Sequence, residues 1–382
     1  MVRTIEIVGA GPAGLSAAIS ARRLGVEAEV HEKRNDVGGR FHGDFQGLEN
    51  WTTETDVLDE LEGIGIEPEF DCHPVSEFIC FDPKGRELVL QSSMPLFYLV
   101  RRGPIHGSLD QGLKRAAIGA GAQIHFESRR HHLRDAGIVA EGPHSADVIA
   151  SGYVFQTDMA DGCFAVLGER LAPQGYAYLL VHGGRGTVAT CMYGGFHNER
   201  KYVERTVAFF RDRAGLRWTS ARRFGGSGHF SLPETAQRGA LFYAGESAGF
   251  QDALFGFGLR YSIVSGSLAA RAIVSDGRQR YDELWQRRLG GQLRASMANR
   301  WLYRRLGDSG RGFVLGAVLK GKDAREFMRR LYEPRWFNNW IRSSRFRSRL
   351  ARAERVREAC DCTWCRGQRT SKGSRSSTKP SP

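Results

Sequence analysis

Apolar positions recur along the chain in different rhythms, and each rhythm predicts a different kind of element. Residues 5–8 are a short run rich in β-branched side chains that ends at glycine, which predicts a buried parallel strand. Residues 13–24 are alanine-rich and stop at Gly25, as a helix does, and residues 28–32 form a second strand. A helix is expected over 53–61, carrying Leu58 and Leu61 and broken by Gly63 and Gly65. Residues 78–81 and 88–90 flank Pro83-Lys84-Gly85, a hairpin signal. Leu109, Leu113 and Ala117 share one face of a helix over 107–119, and residues 122–127 resume as strand. From 153 to 230 aromatic and β-branched residues alternate with turns, as in 176–181 and 186–190, so this stretch reads as β-rich. A long helix over 281–306 with Trp285, Leu289, Leu293 and Trp301 opens the C-terminal quarter.

The first forty residues carry the clearest chemistry. Gly9-Ala10-Gly11-Pro12-Ala13-Gly14 lies between the first strand and the first helix. Gly9 allows a tight turn, Gly11 lets backbone approach a pyrophosphate, and Gly14 lets the helix lie close to the strand. The helix N-terminus presents unpaired N–H groups to an anion. The second strand ends in Glu32, 18 residues after Gly14 and followed by Lys33, where a ribose diol is gripped. A 2′-phosphate beside Glu32 would set two negative groups together. NAD and FAD both use such a unit.

Asp36-Val37-Gly38-Gly39-Arg40 resembles the glycine doublet and arginine of glutathione-reductase-like and hydroxylase-like flavoproteins, which favours FAD. Residues 240–250 with Gly256-Phe257-Gly258 resemble the second FAD signature of those families: a strand ending in Gly245 and an acid, then a glycine-rich turn into a helix. The resemblance implies that Glu246, where aspartate is usual, holds a ribitol hydroxyl, and that backbone at Gly256 and Gly258 reaches the flavin pyrimidine edge. Residues 137–145 resemble the central ADGxxS signature with Glu141 in place of aspartate, or are a plain strand followed by a Gly-Pro turn. Within these flavoproteins the chain resembles the geranylgeranyl reductase group over residues 1 to about 280. Gly175-Tyr176-Ala177-Tyr178 falls where that group has a GYxW-type segment, but the Phe-Pro expected after it is missing. The tryptophan pair of flavin halogenases is absent, and Gly47 stands where the Baeyer-Villiger fingerprint has histidine.

The implied fold class is α/β: a Rossmann-type FAD-binding domain with an inserted β-rich substrate domain and a C-terminal helical region. The expected FAD-binding parts are 1–72, 103–152 and 236–275, the substrate parts 73–102 and 153–235. A basic helical region, 276–359, and a Cys cluster with a disordered basic tail, 360–382, follow. No second glycine cradle appears, so NAD(P)H visits the flavin transiently or a protein donor replaces it. The implied reaction is reduction of a carbon–carbon double bond in an apolar, isoprenoid-like substrate. An NAD(P)H-dependent hydroxylase of an aromatic or polyketide substrate is the alternative. Among His42, Asp44, Tyr176 and Tyr178, no catalytic acid is singled out.

Charge changes the picture only at the C-terminal end. Residues 276–382 hold 27 Lys and Arg against 10 Asp and Glu, so the net +13 of the chain belongs there. Arginines between 342 and 357, beside Trp336, Phe337 and Trp340, suit either an interfacial helix on an anionic membrane or a solvated helical cap. The polybasic tail from 366 permits nucleic-acid contact, but no aromatic-interleaved motif supports it. Cys360, Cys362 and Cys365 pack three thiols into six residues, open to zinc with a further ligand, a redox pair, a dimer-shared site or an inert tail. Seven unevenly spaced cysteines fit a reducing cytoplasm better than a disulfide framework. No apolar stretch is long enough to span a membrane. The oligomeric state is left open.

Overall fold

The computed structural model describes residues 4–130, 133, 136–275, 280–318 and 323–333. Three sheets and eight helices carry the described chain. The first sheet is centred on β1 (Thr4–Val8), which pairs in parallel with β2 (Glu27–His31) on one side and β9 (Gly137–Val139) on the other. β8 (Gln123–His125) extends it beyond β2. β16 (Leu241–Tyr243) and the short β15 (Gln237–Arg238) extend it beyond β9. Three segments from distant parts of the chain thus complete one Rossmann-type sheet.

One helical layer on this sheet is α1 (Pro12–Arg23) against α5 (Leu259–Val274). They approach closely because the facing residues are small. A Cβ at Gly266 would lie 2.0 Å from the Ala13 carbonyl oxygen. Ser16 Oγ donates to Ile263 O at 2.7 Å, and the hydroxyls of Ser20 and Ser267 lie 2.8 Å apart. Leu15, Ala17, Ala18 and Ile19 are buried beside them; each fully buried Leu or Ile contributes about 2 kcal/mol.

The second sheet has seven strands in the order β14-β10-β13-β12-β11-β5-β6. They span Ser220–Gly228 (β14), Val148–Gln156 (β10), Arg185–Met192 (β13), Tyr176–His182 (β12), Gly162–Val166 (β11), Glu77–Phe81 (β5) and Glu87–Gln91 (β6). All neighbours are antiparallel except β11 and β5. One face packs on α4 (Glu199–Ala214) through Leu179, Val188, Val207 and Phe210. A third, antiparallel sheet of β3 (Phe45–Glu49), β7 (Phe97–Arg101) and β4 (Cys72–Val75) joins the two larger ones. α2 (Val57–Ile64) and α3 (Leu109–Gly119) complete the N-terminal half.

α2 starts four residues later than the sequence pattern suggests, because Asp56 caps it by accepting the Leu58 amide, and it ends at Gly65 in the left-handed region. The expected helix over 281–306 is two helices, α6 (Tyr281–Arg288) and α7 (Gly290–Val318), parted at Leu289 just before a glycine pair. α7 is itself kinked at Gly307, whose φ of 58° breaks the helical hydrogen bonding. α8 (Ala324–Tyr332) follows. The arginines between 342 and 357, the three clustered cysteines and the basic tail lie outside the described residues.

Candidate functional site

A single cavity of about 600 Å³ runs from the β1–α1 turn to the C-terminal helices. Its two ends are built differently.

At the first end the wall is backbone. Gly9 has φ +101°, and a Cβ there would sit 2.3 Å from Ala140 O; at Gly14 it would sit 1.9 Å from Gly9 O. These two glycines serve close packing, and Gly14 does not line the cavity. Gly11 differs: a Cβ there meets nothing within 4 Å, because Gly11 faces the cleft. Gly11 caps α1 without a side-chain bond, and Pro12 opens the helix, so the first-turn amides are available to an anion. Pro12, Ala13, Glu32 and Lys33 line the same end. Glu32 Oε2 accepts the Ala10 amide at 3.0 Å and Oε1 the Arg34 amide at 3.0 Å, which orients the carboxylate and leaves lone pairs for a diol. This open cradle, with orphan amides and an oriented acid, fits the diphosphate and ribose of FAD.

Midway, the two signatures meet. Arg40 Nη1 donates to Glu246 Oε2 at 2.9 Å across 206 residues, and Arg40 Nη2 donates to Ser227 O at 2.8 Å. Gly39, Arg40, Glu141 and Glu246 all line the cleft, whereas Gly245 does not. A Cβ at Gly245 would lie 3.0 Å from both Ala13 Cβ and Ser262 Oγ, so that glycine is required by packing. Gly38 abuts Gly103 and Asp110. There Arg102 makes a buried bidentate pair with Asp110, at 2.9 and 2.8 Å, and stacks over the Phe41 ring at 3.9 Å. Sequence reading missed this pair; the only local signal is Ser108, which caps α3 by accepting the Gln111 amide. The Glu141 turn packs on the second signature, with the Gly142 amide donating to Ser247 Oγ at 3.2 Å.

The far end is walled by side chains. Gly256 and Gly258 bring the 252–258 turn to the cavity, where Leu254, Phe255 and Phe257 face Trp51, Phe97, Tyr176 and Tyr178. Phe257 meets Trp51 edge-on at 4.7 Å and lies on Gly47, where a Cβ would come within 2.4 Å of the ring. Leu302, Leu306, Val314 and Leu315 of α7 and Phe327, Met328 and Leu331 of α8 close the chamber. Burial pushes the Cys80 and Cys191 thiols up to about 12 and the Tyr176 and Tyr178 hydroxyls well above their ordinary value. Burial thus disfavours the charged form of each of these four groups.

His42 is exposed and does not line the cavity; its carbonyl accepts from Arg222. Asp44 is buried, accepting the His42 amide and the Gln46 side chain. Tyr176 donates to Phe255 O at 2.6 Å, while Tyr178 presents its ring to the cavity.

Comparisons with known proteins agree with this fold. A family model described as an NAD(P)-binding Rossmann-like domain matches residues 7–47. The chain is 22% identical over 354 residues to digeranylgeranylglycerophospholipid reductase 2 of Methanococcoides burtonii, covering 77% of this chain and 82% of that one. Its fold is similar to a geranylgeranyl bacteriochlorophyll reductase-like protein from Thermoplasma acidophilum. The TM-score is 0.68 at 17% identity, covering 93% of this chain and 100% of the other. It is also similar to p-nitrophenol 4-monooxygenase from Pseudomonas putida, with TM-score 0.61 at 13% identity, covering 87% and 100%. By sequence and fold together, the chain resembles FAD-dependent oxidoreductases of the geranylgeranyl reductase type.

Proposed function

We propose that the chain binds FAD along the cleft and, with electrons from NAD(P)H, reduces a carbon–carbon double bond of an apolar, isoprenoid-like substrate held in the chamber. The observation that carries this reading is the continuity of a diphosphate cradle with an aromatic and aliphatic chamber in one cavity. The relative from Methanococcoides burtonii, a reductase of an isoprenoid lipid by name, supports the substrate class. Bound FAD supplies two-electron chemistry at its flavin ring. The protein's part is to orient the cofactor through Gly11, Glu32, Lys33 and the Arg40–Glu246 pair, and to keep water from the reacting carbons with the chamber's aromatic wall. In the net reaction the hydride of NAD(P)H ends on one alkene carbon and a proton on the other.

Peripheral contact with an anionic membrane, at its cytoplasmic face, belongs to the same reading. Leu302, Phe313 and Val314 are exposed on α7, with Phe313 79% exposed, and Leu302 and Val314 also line the chamber, so apolar surface surrounds its mouth. Arg304 and Arg305 are exposed on the same helix. Among the described residues no helix is long and apolar enough to cross a membrane. Zinc at Cys360, Cys362 and Cys365 is a separate proposal, tested by metal analysis of Cys-to-Ser variants.

The function test is spectroscopic. The purified chain is expected to show a flavin spectrum, to bleach with NADPH or NADH without oxygen, and to recover colour when a polyprenyl lipid is added anaerobically. Bleaching that needs an aromatic ligand, with product formed only in air, would favour the hydroxylase reading that the fold shared with p-nitrophenol 4-monooxygenase keeps in view. Failure to hold or take up flavin defeats both.

A further inference from the structure

The 252–258 turn is held from two sides. Two of its carbonyls accept from tyrosines in β12 and just past β13: Phe255 O from Tyr176 Oη at 2.6 Å and Leu254 O from Tyr193 Oη at 3.1 Å. Two of its amides are held by one carboxylate. Asp252 Oδ1 accepts the Leu254 amide at 3.1 Å, and Oδ2 accepts the Phe255 amide at 2.7 Å. Asp252 is only 1% exposed, a costly place for a carboxylate that serves the turn alone. Oδ1 also accepts Tyr332 Oη at 2.8 Å, and Tyr332 is the last residue of α8.

α8 forms part of the chamber wall, through Phe327, Met328 and Leu331. Its first turn is pinned elsewhere. Arg325 donates to the carbonyls of Asn50 and Thr53, and Asp323 accepts the Ser93 amide and hydroxyl. An occupant pressing on the cavity face of α8 therefore acts on a helix fixed at its start and joined at its end to the flavin-edge turn.

We propose that Asp252 is a positioning residue that couples occupancy of the apolar chamber to the flavin-edge turn, through the Tyr332 hydroxyl of α8. This rests on the FAD reading of the cleft. Substrate in the chamber tightens Leu254 and Phe255 where backbone meets the flavin ring, so the cofactor's readiness to give up electrons depends on whether an acceptor is present. The coupling is reciprocal: reducing the flavin changes affinity for the chamber's ligand by the factor that corresponds to the potential shift.

The test compares the full chain with Tyr332→Phe, which removes only the hydroxyl, and uses a twenty-carbon prenyl alcohol as probe. In the wild type the probe should slow amide exchange at residues 254 and 255 and shift the reduction potential of bound flavin. Tyr332→Phe should keep wild-type flavin content and lose both responses. Asp252→Asn should speed exchange at the same two amides even without probe. Equal responses in wild type and Tyr332→Phe, or no response in the wild type, overturn the coupling. If the chain takes up no flavin, the FAD reading falls, and amide exchange in the flavin-free chain alone decides whether the tether exists.

Discussion

The two ends of the cavity are shaped by opposite means. The cradle end is made by leaving side chains out: Gly9 and Gly14 let turn and helix pack closely, and Gly11 bares backbone to the cleft beside one oriented acid. The chamber end is made by filling: Trp51, Phe97, Tyr176, Tyr178, Phe255 and Phe257 line it, so its shape is set by side chains. A backbone site takes one kind of ligand, because its geometry is fixed by the helix and the strand. A side-chain site on the same fold is retuned by single substitutions, which fits a fold shared by a reductase-like protein and a phenol monooxygenase.

The sharpest test of this contrast lies within the cradle. Gly9→Ala puts a Cβ 2.3 Å from a backbone oxygen at a left-handed residue. It should cost about 3 kcal/mol or more, from 1–2 of backbone strain and 1–3 of overpacking, and appear as a large fall in Tm. Gly11→Ala meets no atom, so its Tm without cofactor should match wild type while FAD affinity, measured by flavin fluorescence, falls at least about tenfold. Equal Tm losses would break the distinction between packing glycine and ligand-facing glycine.

At the other end, Ala165→Phe on β11 fills the chamber, since Ala165 lines it and is buried. An overpacking cost of about 1–3 kcal/mol is expected, with the flavin spectrum unchanged and lipid-dependent reoxidation largely lost.

A smaller effect should follow pH. Burial, reinforced by nearby Glu49, raises the Asp252 carboxyl to about 6 despite the hydrogen bonds from Phe255, Tyr332 and Leu254, which act to lower it. Between its unfolded value near 4 and about 6, the folded chain holds a proton that the unfolded chain has lost. Stability from this group is therefore full below about pH 4 and lost as pH rises through 6, by at most about 3 kcal/mol for two pKa units. Thermal melts between pH 4 and 7 should show this slope in the wild type and lack it in Asp252→Asn. Smallest for the fold itself, Phe313→Ser should change stability by no more than about 0.5 kcal/mol yet weaken binding to anionic vesicles; unchanged vesicle binding would count against the membrane reading.

The cradle was legible in the sequence because a tight turn, a close approach and a helix start each demand glycine at a fixed local spacing. Glu32 was legible for the same reason, since strand length sets its distance from the turn. The chamber was not. Asp252 and Tyr332 are 80 residues apart and meet only because α8 returns to the 252–258 turn. Gly47 carried no positive signal in the sequence, yet the ring of Phe257 explains it. The long C-terminal helix was read as unbroken through Leu289, although the Gly290-Gly291 pair marks the break. Periodicity gave Trp285, Leu289 and Leu293, which pack into the core of the first sheet, and missed Leu302, Leu306, Val314 and Leu315, which wall the cavity.

The narrow crossing of α1 and α5 has a consequence in time. Ser16 finds the carbonyl of Ile263 only after 247 further residues exist. At a synthesis rate of about 5–20 residues per second, the small-residue face of α1 waits roughly 10–50 s for its cover. During that interval α1 can pack on β1, β2 and α3, while the face that will meet α5 has no cover. The glycines and serines that make the finished crossing tight also keep this waiting face small and weakly adhesive, which suits a surface that must stay uncommitted until most of the chain has emerged.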